Sequence, residues 1–170
     1  IFTDIQQFSS ISELLTASQL GKLLNFYLTR MSEIIIEERG TIDKFEGDAI
    51  IAMVGAPVEM TDHAVHACSA AIKMKKAEIM LNDEIYKRVT SNSEKTDKEL
   101  LETFKIMVIN GKKIFTRIGI NSGEMIAGYF GSENKKNYTI IGNNVNLASR
   151  LEGVNKLYHT GGILISENTY

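Results

Sequence analysis

Along the chain, stretches in which apolar residues recur every three or four positions alternate with stretches in which they recur every second position. The changes of period predict the elements. Leu20, Leu24, Tyr27, Leu28, Met31, Ile34 and Ile35 fall at helical spacing until Gly40 stops the run, and Ser10 with Glu13 makes a candidate capping box ahead of them. Residues 41 to 45 and 49 to 54 read as the two strands of a hairpin, which Pro57 ends. Asp62 is placed to cap a second helix, whose stripe of Ala64, Val65, Cys68, Ala71 and Ile72 would pack on a sheet. From about 87 to 113 the charge is mixed and the pattern weak, which reads as an insertion or long connection. Strands at 114 to 120 and 124 to 130 follow, joined at "NSG"; "GSENKKN" reads as a polar loop, 138 to 141 as a short strand, 143 to 157 as a helix and 163 to 166 as a last strand. The sum predicts an α+β fold in one domain, residues 1 to 170, with helices on one face of a mainly antiparallel sheet.

Composition narrows the function classes. With 170 residues, 44% hydrophobic and 24% charged, the chain can bury one sizeable core. A formal net charge of -2 argues against a nucleic-acid partner, since phosphate binding by charge needs a basic excess. Cys68 sits in an apolar helical run and reads as a core thiol, which fits a reducing compartment and the cytoplasmic side of the cell. No run of about eighteen apolar residues is present to span a bilayer. The start at Ile1, on what reads as the end of a strand, points to a fragment, with a regulatory, sensor or membrane-anchoring region expected outside it.

Candidate chemistry begins with two acids. Asp4, in "IFTDIQQFSS", is delivered by an apolar strand end into a polar turn, and Asp48, in "KFEGDAII", sits at the hairpin turn. Two carboxylates at strand ends suit hard cations, because Mg²⁺ takes oxygen ligands, keeps several waters and uses one or two carboxylates plus substrate phosphates. Turn acids are common, so by spacing alone a solvated turn is the simpler reading. In "NYTIIGNNVNLASRLEGVN", Asn146 and Arg150 are four apart and share one helix face, opposite Leu147, Leu151 and Val154. An amide with a guanidinium suits a ribose and a phosphate; a solvated helix face is the simpler reading of the spacing. His63 and His66 read as residues at a capped surface helix start rather than metal ligands with Asp62, and His159 as a loop residue.

Taken together, "FTDIQQFS", "KFEGDAIIAMVGAP", "TRIGINSGEMIAGYFG" and "YTIIGNNVNLASRLE" resemble, in order and at compatible spacing, the signature segments of the class III nucleotidyl cyclase catalytic domain. The resemblance runs from Ile1 to Tyr170 apart from the stretch near 87 to 113. It implies a ferredoxin-like βαββαβ core with additions. It also implies that Asp4, Asp48 and the backbone of Ile5 hold two divalent cations, Mg²⁺ or Mn²⁺, and that the backbone through Phe8 and Ser9 cradles the triphosphate. Lys44 and Thr139 match the positions that select the base, Asn146 the residue that orients the ribose, Arg150 the residue that stabilises the α-phosphate, and Arg117 a contact of the terminal phosphates. Asn143 departs from the pattern, where many members carry an acid. Members also continue beyond the position of Tyr170 into strands with a triphosphate-contacting Lys.

Base choice follows from hydrogen-bond sign. Adenine offers a ring-nitrogen acceptor beside an amino donor, matching a donor-only Lys44 and a Thr139 hydroxyl that accepts. Guanine reverses that edge, and guanylyl members resemble Glu with a small residue or Cys at these positions. The resemblance therefore implies an adenylyl cyclase, with ATP as substrate and bicarbonate sensitivity as a property of some relatives with Thr. It implies a homodimer too, because members build each active site from the metal acids of one chain and the base, ribose and α-phosphate residues of the other. The competing readings are a catalytically silent homology domain and a diguanylate cyclase, whose Gly-Gly-acid-Glu-Phe hairpin "FEGDAI" does not supply.

Overall fold

The computed structural model describes residues 1–91, 96–158 and 160–170, which leaves His159 outside the described residues. Its elements run β1 (Phe2–Ile5), α1 (Phe8–Ser12), α2 (Ala17–Glu37), β2 (Gly40–Glu46), β3 (Ala49–Val54), α3 (His63–Thr90), α4 (Lys98–Ile109), β4 (Thr116–Ile120), β5 (Ile126–Ser132), β6 (Lys135–Ile141), α5 (Asn143–Val154) and β7 (Ile163–Ile165), with single 3₁₀ turns at Asn155–Leu157 and Glu167–Thr169. The main sheet has five strands in the order β2-β3-β1-β4-β7, and β5 with β6 forms a separate two-stranded ribbon. All neighbours in the main sheet are antiparallel except β4 and β7. The unit β1-α2-β2-β3-α3-β4 is the expected ferredoxin-like βαββαβ core.

Strand alternation assigns the two faces. Thr3 and Ile5, Ile50 and Ala52, and Thr116, Ile118 and Ile120 are buried under α2, α3 and α4. Leu23, Tyr27, Met31, Ile34 and Ile35 of α2 meet them, as do Ala67, Ala70, Ala71 and Met74 of α3. Asp4 and Arg117 alternate onto the opposite face, directly across from each other in the β1–β4 register. There α5 lies against the sheet at Gly119, where an added Cβ would stand 2.3 Å from the Ala148 carbonyl oxygen and 2.3 Å from the Glu152 amide. The helices therefore cover both faces rather than one, because the missing side chain at Gly119 lets a helix backbone touch the strand.

Several local expectations are corrected. The capping box is formed by Thr16 and Gln19, whose side chains and amides bond reciprocally at 3.3 and 2.9 Å, while Ser10 lies in α1 with its hydroxyl on the Gln7 carbonyl. Where a weakly patterned connection was expected from 87 to 113, the described residues are largely helical: α3 continues to Thr90, residues 92–95 lie outside the described residues, and α4 packs Leu101, Phe104 and Met107 into the core, with Phe104 edge-on to Phe26 at 5.1 Å. Its charged residues conceal the helical spacing of its apolar ones. Val65 and Ile72 face outward at 69% and 52% exposure, and Ala67, Ala70 and Met74 take the inward positions instead. The strand pairs of β5 and β6 extend through most of "GSENKKN", with Ser132 opposite Lys135. His66 is an ion-pair partner rather than a plain surface residue, 3.0 Å from Glu38 and 3.3 Å from Asp62. Lys73 first, and His66 after it, hold the Glu38 carboxyl down to about 2.

Candidate active site

The end of β1, the β2–β3 turn, β4 and α5 converge on a cluster of acids. Gly47, at φ +64°, allows the tight turn that swings Asp48 over the end of β1, where its Oδ2 accepts the Ile5 amide at 2.8 Å. Burial pushes the Asp48 carboxyl above its ordinary range, opposed by the Ile5 amide and helped by the charge of Asp4. Arg117 reaches from the strand opposite, its Nη2 2.7 Å from Asp4 Oδ1. Its Nε lies 3.0 Å from Glu152 Oε1 on α5, yet neither atom has a hydrogen-bond partner, so this contact is Coulombic attraction without alignment. Burial also raises the Glu152 carboxyl, with Arg117 opposing and Asp4 and Asp48 adding to the rise. Three acids thus share one guanidinium, and a cation of higher charge would relieve the remaining repulsion.

The donor set fits hard divalent cations: Asp4 and Asp48 supply carboxylate oxygens, and Ile5, next to Asp4 in the chain, donates its amide to Asp48. Among the described residues no group of three or more His, Cys, Asp or Glu is arranged to enclose an ion unaided. Phe8 and Ser9 begin α1 immediately after Gln7, which takes a left-handed backbone at φ 57°, and amides in a first helical turn have no partner within the helix.

A second cluster forms where β2 faces β6. The β2–β3 register slips between Ile42 and Lys44, so Asp43 is the extra residue of a bulge. Thr139 donates its hydroxyl hydrogen to Asp43 Oδ2 at 2.8 Å, and Lys44 Nζ stands 3.8 Å from the same oxygen. Lys44 and Thr139, far apart in sequence, are therefore neighbours. Asn146 and Arg150 are both exposed on α5. With about 100° per residue, they point away from the face that carries Ala148 and Glu152. The chain thus brings Asp4, Ile5, Asp48 and Arg117 together, and Lys44 with Thr139, but turns Asn146 and Arg150 away from its own acids.

Sequence reasoning passed over Asp43 and Glu152. The signal for Glu152 is an acid four residues after Ala148 on the inward stripe of α5; for Asp43, an acid beside Lys44 in a strand otherwise patterned for pairing.

The model of the adenylate and guanylate cyclase catalytic domain matches residues 1–170. Adenylate cyclase 1 of Rhizobium meliloti is 36% identical over 162 residues, covering 94% of this chain; the chain spans only 21% of that relative's length. Among solved structures, the adenylyl cyclase CyaB from P. aeruginosa superposes with a TM-score of 0.77 at 38% identity, over 99% of this chain and 76% of that one. The guanylyl cyclase Cya2 superposes equally well, TM-score 0.77 at 32% identity, over 99% and 73% of the two chains. Among the described residues no helix is long and apolar enough to cross a membrane. By its full-length match, its βαββαβ core and the acids gathered at the end of β1, the chain belongs to the adenylate and guanylate cyclase catalytic domain family.

Proposed function

We propose that the protein converts ATP to 3′,5′-cyclic AMP and pyrophosphate, as a head-to-tail homodimer whose two active sites are each shared between chains. The observation that carries this reading is the adjacency of Lys44 and Thr139 through Asp43, which sets a donor beside an acceptor in the order an adenine edge requires. In this reading Asp4, Asp48 and the Ile5 carbonyl of one chain would hold two divalent cations, Mg²⁺ or Mn²⁺. Such cations, when bound, supply charge neutralisation for the triphosphate and acidify the ribose 3′-hydroxyl.

The chain's own residues do the remainder. Lys44 and Thr139 of the second chain bind the base, and its Asn146 fixes the ribose so that the 3′-oxygen faces the α-phosphorus. The 3′-hydroxyl gives up its proton to water, its oxygen attacks that phosphorus, the bond to the bridging oxygen breaks, and pyrophosphate leaves. Arg150 offsets the charge that develops on the α-phosphoryl oxygens. The backbone of Phe8 and Ser9 holds the terminal phosphates, and Arg117 contributes there on release from Asp4. The outward turn of Asn146 and Arg150 supports sharing between chains, since it leaves them free to meet the acids of a second chain. The chain spans 21% of the length of its Rhizobium meliloti relative, which leaves room in such a relative for a regulatory or sensor region beside the domain, and in this reading the domain works on the cytoplasmic side.

The test is incubation of the purified chain with ATP or GTP and with Mg²⁺ or Mn²⁺, followed by chromatography of the products. Cyclic AMP that disappears in Asp48→Ala supports the reading. A folded dimer that makes no cyclic product with either nucleotide and either metal would instead be a silent homology domain.

A further inference from the structure

Resting on the adenine reading above, we propose that Asp43 is a positioning residue that sets base specificity: by taking the Thr139 hydroxyl hydrogen, it leaves Thr139 with only lone pairs to offer the nucleotide. A hydroxyl carries one hydrogen and two lone pairs and rotates to suit its neighbour. Alone, Thr139 would accept from the adenine amino group or donate to the guanine carbonyl with equal ease. It would not discriminate. A carboxylate only accepts, so the 2.8 Å contact between Thr139 Oγ1 and Asp43 Oδ2 consumes the one hydrogen. Thr139 then acts as an obligate acceptor beside Lys44, an obligate donor.

The backbone is shaped for this contact. In a regular strand Asp43 and Lys44 would point to opposite faces, but the bulge at Asp43 breaks the alternation and lets one strand present both side chains at the junction with β6. The Asp43 side chain is 3% exposed while that of Lys44 is 46% exposed. The acid is thus packed behind the contact and the ammonium stands in front of it. Lys44 Nζ at 3.8 Å from Asp43 Oδ2 places the same carboxylate where it also restrains the lysine.

The test compares kcat/KM for ATP and GTP in the full chain, for the wild type and for Asp43→Asn, Thr139→Val and the double variant, with thermal unfolding of each. Calorimetric binding of 3′-deoxy-ATP and 3′-deoxy-GTP, which cannot cyclise, gives the same ratio without turnover. An Asn at 43 can donate its amide hydrogen to Thr139 and turn the hydroxyl hydrogen toward the base. The expected result is that Asp43→Asn narrows the ATP-to-GTP ratio by about tenfold, the effect of one reversed hydrogen bond. Asp43→Asn added to Thr139→Val should change the ratio no further, since the acid acts through the hydroxyl. A merely structural tie between β2 and β6 would lower the unfolding temperature in Asp43→Asn and leave the ratio at the wild-type value, which would overturn the proposal. An ATP preference that Thr139→Val abolishes and Asp43→Asn preserves would overturn it while keeping the adenine reading. A wild type with no preference for ATP would overturn both.

Discussion

The acid cluster at the end of β1 and the Lys44–Thr139 edge where β2 meets β6, proposed above to read the base, are built on opposite plans. The first is held by backbone: strand register sets Asp4 against Arg117, and an amide of Ile5 fixes Asp48 at 2.8 Å. The second is held by side chains at a junction between the main sheet and a separate ribbon, joined by the contact of Thr139 with Asp43. Charges that must share cations repel one another and need rigid positions to stay together. A base edge is read by hydrogen-bond sign, so small changes in side-chain chemistry can retune it without disturbing the fold. The family's solved structures include an adenylyl and a guanylyl cyclase at equal TM-score, so the fold by itself does not select the base.

The largest effects should come from removing Asp48 from the acid cluster and Arg150 from the outward face of α5, which the β2–β6 edge does not include. Arg150→Ala should lower kcat by about three to five decades, as loss of a phosphate-stabilising arginine does elsewhere, and Asp48→Ala should abolish cyclisation. Mixed in equal amounts, the two inactive variants should recover about a quarter of wild-type activity, because random pairing makes half the dimers mixed and each of these has one intact site. No recovery in a mixture that forms dimers by light scattering would end the shared-site reading.

Specificity should respond more gently. Lys44→Ala is expected to reduce discrimination for ATP over GTP by about one to two decades, the worth of a charge-assisted hydrogen bond, with its unfolding temperature close to wild type. A ratio that does not move would place base selection elsewhere.

Smaller effects separate fold from chemistry. Gly119→Ala forces a Cβ into the α5 backbone, 2.3 Å from the Glu152 amide, and should destabilise the fold by about 1–3 kcal/mol in denaturant titration. Because α5 also carries Asn146 and Arg150, cyclisation should fall while binding at the Lys44 edge is kept.

The smallest effect is electrostatic. Asp48 holds its proton more tightly folded than unfolded, chiefly through burial, so the folded state binds more protons above the ordinary value of 3.8. Stability without cations should therefore fall as pH rises from 3.8 through the raised value. Asp48→Asn, which keeps an acceptor for Ile5, should unfold at a higher temperature than wild type at pH 7 in chelator, and lose that advantage below pH 3.8. Saturating Mg²⁺ should reverse the order, because only the carboxylate gains from the ion.

Periodicity and turn chemistry made β1, α2, the β2–β3 hairpin and α5 legible from sequence, because each follows a local rule of spacing, glycine or proline. Asp4 and Asp48 could be singled out for the same reason: an acid at a strand end is visible in one dimension. α4 was hidden because its charged residues masked an apolar stripe that only packing against Phe26 reveals. The capping box was misplaced by six residues because Ser10 and Thr16 offer the same chemistry, and only the backbone path chooses between them.

The sequence by itself determined the order of the strands, the residue types available at the site and the family. Tertiary structure alone decided which of them meet. A bulge at Asp43 joined a lysine to a threonine from a distant strand, and a glycine at 119 let α5 turn Glu152 inward and Arg150 outward. Local rules act through neighbours along the chain, whereas these contacts depend on strand register and on how closely two backbones can approach, and neither quantity exists until the chain has folded.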